Sequence, residues 1–543
     1  MHDLANNPES PKSELRGWRW WPAALLLVVS FLVVLWLRGR DDLTFQQRNT
    51  IILATILSTG VLLFVWWLVL SRVRWRLRLT VAGVALGILL LFSATFRIRG
   101  VTGDLIPILE PRWARPVTEL PAPTPGLARP TETDVLPAAT RADFPQFLGP
   151  DSSGVLREPV LDSDWANRPP TLLWRQPVGA GWSGFAIAGD LALTQEQRGD
   201  DEIVSCYHVA DGRLLWSHAD PARYATTIAG EGPRCTPTVV GDRVYTLGAT
   251  GLLNCLERQT GRFIWGRNIA EEAGTRPPEW GYSGSPLVIH DTVVVSAGGR
   301  SGRSLLAYHA ETGEPAWSAG NEPAGYSSPF ATELAGQPQI LVFNATQITA
   351  HATDDGRVLW EYPWGRGHPH VSIPVVTSPH HVLFSSGYGV GSELLELKRQ
   401  SDDTLAASQV WLSRRMKAKF ANLVARDGFL YGLDDGMLAC LDLEDGSQRW
   451  KEGRYGHGQG LLVNDLLLLM SEPGELILLR PTPDAPNELH RIRVFNQKTW
   501  NPIALAGDLL LVRNDQQAAA FQVATLAPAS QPATHPVTPA QAP

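Results

Sequence analysis

Cysteine is scarce: the chain has four in 543 residues. That excludes a disulfide-stapled scaffold. No two of the four are adjacent and no Cys-x-x-Cys-His run occurs, so covalent attachment of a c-type haem is excluded as well. Charged side chains make up only 19% of the chain, yet 44% of residues are hydrophobic, too many for a disordered polymer. Positive charge is lacking in one part only. Residues 1–100 carry twelve Lys/Arg against five Asp/Glu, whereas the other 443 carry 35 against 49, a net of −14. Nucleic-acid affinity rests on cations that neutralise phosphates, so DNA and RNA are excluded as partners of the large part. Serine-hydrolase, kinase and phosphate-loop signatures are also missing.

What is present begins with three uncharged apolar runs, 20–37, 49–71 and 79–96. Each is long enough to cross a bilayer core of about 30 Å as a helix, so a lipid bilayer is the first expected partner. The first run has no small-x-small cleavage site before Arg38-Gly39-Arg40 and two further runs follow it, which reads as a retained anchor and not as a signal peptide. The loop 71–78 holds four arginines and no acid, whereas Arg38, Arg40 and Arg48 are offset by Asp41 and Asp42. The positive-inside rule then puts 71–78 and the N-terminus 1–19 in the cytoplasm and everything after residue 96 outside. In a bacterium with two membranes, that means an inner-membrane anchor and a periplasmic domain. Residues 97–145 read as a Pro-rich linker, 146–523 as the folded domain and 524–543 as a disordered Pro/Ala-rich tail.

The folded domain is repetitive. Five hairpin signatures align without gaps: Ala210-Asp-Gly-Arg-Leu-Leu-Trp216, Gln259-Thr-Gly-Arg-Phe-Ile-Trp265, Glu311-Thr-Gly-Glu-Pro-Ala-Trp317, Asp354-Asp-Gly-Arg-Val-Leu-Trp360 and Glu444-Asp-Gly-Ser-Gln-Arg-Trp450. The Asp-Gly or Thr-Gly pair supplies the left-handed backbone of a tight turn. Trp174 and Trp411 keep the tryptophan in degraded copies, and successive tryptophans lie 39 to 52 residues apart. Upstream of each lies a second pair of alternating strands, as in Val239-Val-Gly-Asp-Arg-Val-Tyr-Thr-Leu. Four short strands per unit is the size of a propeller blade. Six blades end at their own tryptophan, a seventh runs from Gly460 to about Phe495 without one, and an eighth from Pro502 to about Val523 has only three strands. The orphan strand Leu172-Leu-Trp174 can supply its fourth, closing an eight-bladed ring with no open sheet edge.

These repeats, together with the lead-in Phe144-Pro-Gln-Phe-Leu-Gly-Pro-Asp-Ser-Ser-Gly, resemble the tryptophan-docking repeats of pyrroloquinoline quinone (PQQ)-type propellers over about 145–523. The resemblance implies an all-β eight-bladed propeller preceded by three transmembrane helices. That fold includes quinoprotein alcohol and sugar dehydrogenases, an outer-membrane-assembly lipoprotein and a membrane-anchored bacterial group without haem, to which this chain is most similar. Two functions follow. One is a binding or scaffold module for a periplasmic protein or a small anionic ligand. The other is a dehydrogenase using PQQ with Ca²⁺ and feeding electrons to the membrane quinone pool. The vicinal disulfide that covers the quinone in the alcohol dehydrogenases has no counterpart here, and no residue is assignable as Ca²⁺ ligand or catalytic base.

The repeated tryptophans read as inter-blade packing. Cys206, Cys255 and Cys440 each lie six residues before the hairpin glycine, where Ala307 and Ala350 stand in other blades, so the slot is a small core position; Cys235 falls outside it. His368-Pro-His370 and His380-His381 lack metal-ligand spacing and read as rim histidines, and Asp434-Asp435-Gly436 as a hairpin, so no metal site is expected. The informative positions precede the innermost strands, which rim the axial funnel. Their less repetitive aromatic and polar side chains are Trp182, Arg234, Trp280, Tyr282, Tyr326, Lys419, Asn422, His457, Lys498 and Trp500. All but Trp182 form the predicted ligand-contacting set. Rigid aromatic faces beside donors suit a planar anion or a peptide, and Lys419 and Asn422 are the leading contacts.

Overall fold

A computed structural model describes residues 20–40, 43, 45–114, 142–365 and 368–526. The expected cytoplasmic segment 1–19, the linker stretch 115–141 and the tail beyond 526 lie outside the described residues. The chain divides into two compact units, Met1–Ala114 and Arg115–Pro543.

In the first unit, α1 (Trp21–Arg38), α2 (Phe45–Val69) and α3 (Trp75–Thr95) have mean hydropathies of 2.1, 2.3 and 2.1 over their spans. Each is long and apolar enough to cross a membrane. Pro22 occupies the first turn of α1, where its missing N–H costs nothing. α2 and α3 start four residues before the uncharged runs, because Gln46, Gln47, Arg48, Arg76 and Arg78 are good helix formers that extend the first turns. Arg78 donates to the Leu68 carbonyl at the end of α2 at 2.8 Å, a cation on the negative end of a helix. Thr59 and Ser30 hydrogen bond across α1 and α2 at 3.0 Å. The expected linker is not structureless at its start. Phe96–Val101 pairs antiparallel with Pro107–Pro111, and Arg97 meets Glu110 at 2.8 Å; the alternation in Phe96-Arg-Ile-Arg is a strand pattern hidden beside the prolines.

The second unit is a ring of eight antiparallel sheets. Blades 1 to 7 follow chain order as 186–220, 238–268, 287–319, 330–363, 375–413, 424–454 and 459–493. Blade 8 joins three C-terminal strands, the last Gln517–Gln522, to Thr171–Pro177, with Trp174 opposite Ala520. The ring closes as the orphan-strand argument requires.

The repeat motif has a geometric cause. The hairpin glycines Gly212, Gly261, Gly313, Gly356 and Gly446 all have φ between 68° and 73°. Against each lies the tryptophan ring of the preceding blade, at the spot a Cβ would fill. At Gly212 that Cβ would stand 2.8 Å from the Trp174 ring. The indole N–H then reaches a carbonyl of the blade it docks on, as from Trp174 to Val209 (2.8 Å), Trp216 to Arg258 (3.0 Å) and Trp411 to Leu443 (2.9 Å). Glycine serves twice here, for left-handed backbone and for space. Cys206, Cys255, Cys440, Ala307 and Ala350 are each paired with their own blade's tryptophan on the neighbouring strand, which is why the slot takes only small side chains. All four cysteines are buried free thiols.

One end of the central channel is sealed by the lead-in segment. Phe144 bridges Ile187 of blade 1, and the Pro145 carbonyl accepts from Val239 of blade 2 at 2.8 Å. Leu148 packs with Leu334 and Ile373 of blades 4 and 5. Gly154 accepts from Leu462 of blade 7 at 2.9 Å, and Val155–Leu156 adds to that blade as a parallel strand. A segment touching the innermost strands of so many blades must cross the axis.

Candidate functional site

The other end of the channel is built by the segments that lead into each innermost strand. Their Ser, Thr and Asn side chains form a belt. Thr236 Oγ1 accepts the Gly184 N–H (3.1 Å), Ser285 Oγ the Thr236 N–H (3.0 Å) and Ser328 Oγ the Ser285 N–H (2.9 Å). Asn422 Oδ1 accepts the Ile373 N–H at 3.0 Å, and Asn501 donates to Gly181 O and Ser183 O at the closing seam (3.0 and 2.8 Å). Each bond is worth about 1 kcal/mol, and the belt ties every such blade to its neighbour. Asn422, a leading ligand contact from sequence, is therefore a buried belt member with its carbonyl committed to backbone. Tyr282 is likewise turned away: it is buried in the core between blades 2 and 3, and its hydroxyl donates to Ala297 O at 3.0 Å.

The remaining predicted residues converge. Tyr326 and Trp280 stack with ring centres 5.1 Å apart, Trp280 meets Phe420 edge-on at 6.1 Å, Phe420 lies 4.9 Å from Trp500, and Trp500 lies 4.9 Å from Trp182. These rings come from blades 4, 3, 6, 8 and 1, so they make an aromatic bar across the axis. His457 joins it 5.6 Å from Phe420. Three cations sit on aromatic faces. Lys498 Nζ is 3.8 Å from the Trp500 ring centre and 4.7 Å from Trp182, Lys419 Nζ is 4.9 Å from Tyr388 and 5.4 Å from Phe420, and the Arg234 guanidinium is 4.3 Å from Tyr224. Such contacts contribute about 0.5–2 kcal/mol each, most where water is excluded. Arg234 also donates to the carbonyls of Ala229 (3.1 Å) and Gly230 (3.2 Å).

Glu472 supports the bar from below. One carboxylate oxygen accepts the Trp500 indole N–H at 2.9 Å and the other the His457 backbone N–H at 3.1 Å. Glu202 is buried beside blade 2, where one oxygen accepts the Ala249 N–H at 3.0 Å. Burial pushes its carboxyl up to about 7, with Asp220 adding to the rise and the Ala249 N–H and Arg234 opposing it. His370 is no rim residue: it stacks on Phe343 at 4.4 Å inside the core, and burial holds its imidazole below the usual range despite bonds to Asn344 and Gly365 carbonyls. Sequence reading missed Phe420, Tyr388, Tyr224 and Glu472. Phe420 stands inside the Lys417–Asn422 segment, between two chosen positions. Tyr388 and Glu472 lie on middle hairpins of their blades, which turn at the same face; the alignment of lead-in segments did not include them.

The family model described as outer membrane protein assembly factor BamB matches residues 171–452, just over half of the chain. The chain belongs to that family. No curated protein matches it. Among solved structures, quinohemoprotein alcohol dehydrogenase from Comamonas testosteroni is similar at 12% identity and TM-score 0.53, over 72% of this chain and 82% of that one. A europium-containing methanol dehydrogenase is similar at 11% identity and TM-score 0.51, over 70% of this chain and 89% of that one. BamB from Moraxella catarrhalis is 14% identical with TM-score 0.46, over 65% of this chain and 97% of that one. At such identities the structural likenesses show the fold alone.

Proposed function

We propose that this family member is a binding module, held at the bacterial inner membrane by its three helices with the propeller in the periplasm, and that the aromatic end of the channel receives a protein partner or a small anionic ligand. The carrying observation is the mouth itself: five aromatic rings and three ring-bound cations converge on one end of a channel whose other end is sealed. Aromatic faces next to cations are the composition of protein contact hot spots.

PQQ does not suit these residues. A tricyclic quinone needs a flat slot on the axis, and Phe420 fills it between Trp280 and Trp500. A Ca²⁺ ion beside it needs several carboxylate oxygens; those of Glu472 are committed to Trp500 and His457, and Asp435, with an oxygen within 4.8 Å of a His457 ring nitrogen, adds a single further acid. Asp434 is buried between Lys417 (3.0 Å) and Lys451 (2.9 Å). The cysteines are single buried thiols.

The reading is tested in cells with a photo-reactive residue at position 498, at the mouth, and at position 240, an exposed strand position at the sealed end. Position 498 should give a discrete adduct and position 240 none. Equal adducts from both, or none from either, would overturn the reading.

A further inference from the structure

The approach to the mouth between blades 5 and 6 is basic, in a domain that is otherwise acidic. Ser413-Arg-Arg-Met-Lys-Ala-Lys419 has four cations in seven residues and no acid. It runs from the outer strand Leu405–Ser413 to Lys419, which is buried on Tyr388 and Phe420 within the mouth. Arg414 and Arg415 are exposed and form no ion pair among the described residues.

Lys417 and Lys451 share one carboxylate. Asp434 Oδ1 is 3.0 Å from Lys417 Nζ and also accepts the Lys417 backbone N–H at 3.0 Å, while Oδ2 is 2.9 Å from Lys451 Nζ. Asp434 is fully buried, and both lysines keep part of their side chains at the surface; Asp435 also acts on Lys451, so these four groups balance in charge. Burial opposes ionisation of Asp434, but the two lysines outweigh it and hold the carboxyl below the usual range. Glu452 is the exposed acid on the neighbouring strand. Arg414, Arg415, Lys417 and Lys451 therefore outnumber Asp434, Asp435 and Glu452, and the excess charge lies on the two exposed arginines.

We infer that this strip recognises an acidic, extended protein segment and guides it into the mouth. The inference rests on the binding-module reading and names its partner's chemistry. An extended chain places alternate side chains about 7 Å apart on one face, which suits cations strung from rim to mouth. The aromatic rings at the inner end favour a polypeptide over a bare polyanion. Complementary charge at a rim chiefly speeds encounter and sets specificity.

The test uses the full chain in discs of zwitterionic lipid and a fluorescent peptide of alternating glutamate and alanine, read by anisotropy. Saturable binding that weakens with salt is expected. Arg414→Glu with Arg415→Glu should weaken it about tenfold or more without moving the melting temperature, because both side chains are exposed. Arg276→Glu with Arg300→Glu, a charge-matched change at other exposed positions, should leave it unchanged. Equal affinity in the 414/415 variant, or equal binding of a glutamine–alanine peptide, overturns the inference. So does binding to phosphatidylglycerol vesicles that depends on Arg414 and Arg415 when the acidic peptide does not bind. If position 498 still gives its adduct while the peptide fails, the strip is wrong and the mouth stands; peptide binding without that adduct sinks the mouth reading instead.

Discussion

At the scale of single residues, the side chains with most chemical promise from sequence divide by what they face. Lys498, Trp500, Trp280, Tyr326 and Lys419 meet at the mouth, whereas Asn422 and Tyr282 are spent on structure. Pattern alone could not separate them, because belt and mouth residues alternate along the same segments. Glu202 was invisible for another reason: its perturbation comes from burial against blade 2, a contact no local motif encodes. Its effect on stability has a definite sign. The native state keeps Glu202 protonated up to about pH 7, whereas the unfolded chain ionises it near 4.5. Stability from this group is full below pH 4.5, declines as pH rises to 7 and then levels off, by about 3 kcal/mol in all. Glu202→Gln should flatten that part of the profile in denaturant melts from pH 4 to 8 and leave the variant the more stable protein at pH 8. An unchanged slope would mean that water or a neighbour solvates the carboxylate.

At the scale of elements, most of the propeller was legible. The Gly-to-Trp spacing, the small slot before it and the orphan strand at Trp174 gave the blade number and the closure, because each follows from geometry repeated around a ring. The seal formed by Phe144–Leu156 was not legible. Its contacts are with blades distant in sequence, and the segment looks locally like any loop. The hairpin at 96–111 was missed because proline content outweighed a short alternation. The docking geometry predicts a contrast between two glycines with similar backbone. Gly261 has φ 68° and the Trp216 ring over it, whereas Gly241 has φ 58° and open space. Gly261→Ala should cost about 2–4 kcal/mol, combining left-handed strain and overpacking, and Gly241→Ala about 1 kcal/mol from strain alone. Equal losses in equilibrium unfolding would show that the tryptophan yields freely and that docking does not constrain the turn.

At the scale of the whole molecule, the chain divides into a helical unit and a propeller unit. The three spans were legible from hydropathy because a bilayer sets their length. The positive-inside rule ties orientation to the arginine loop. A reporter active only outside the cytoplasm should work when fused after residue 100 and fail when fused at Arg74, and the reverse pattern would mean the loop's charge does not set topology. The propeller's ring is latched where its two termini meet. Arg513 of blade 8 is fully buried and donates to Thr194 Oγ1 (2.6 Å), Gln195 O (2.9 Å) and Gly179 O (2.8 Å) around blade 1.

The central claim is that a fold shared with quinoprotein dehydrogenases here presents a mouth packed by its own aromatic side chains. The most direct test is titration of the purified full chain with PQQ in the presence of Ca²⁺, followed by quinone absorbance, melting temperature and dye reduction with alcohols and sugars. The account predicts no saturable spectral change, no shift in melting and no dye reduction. A stoichiometric complex that reduces dye would contradict it, and would require Phe420 to leave the axis.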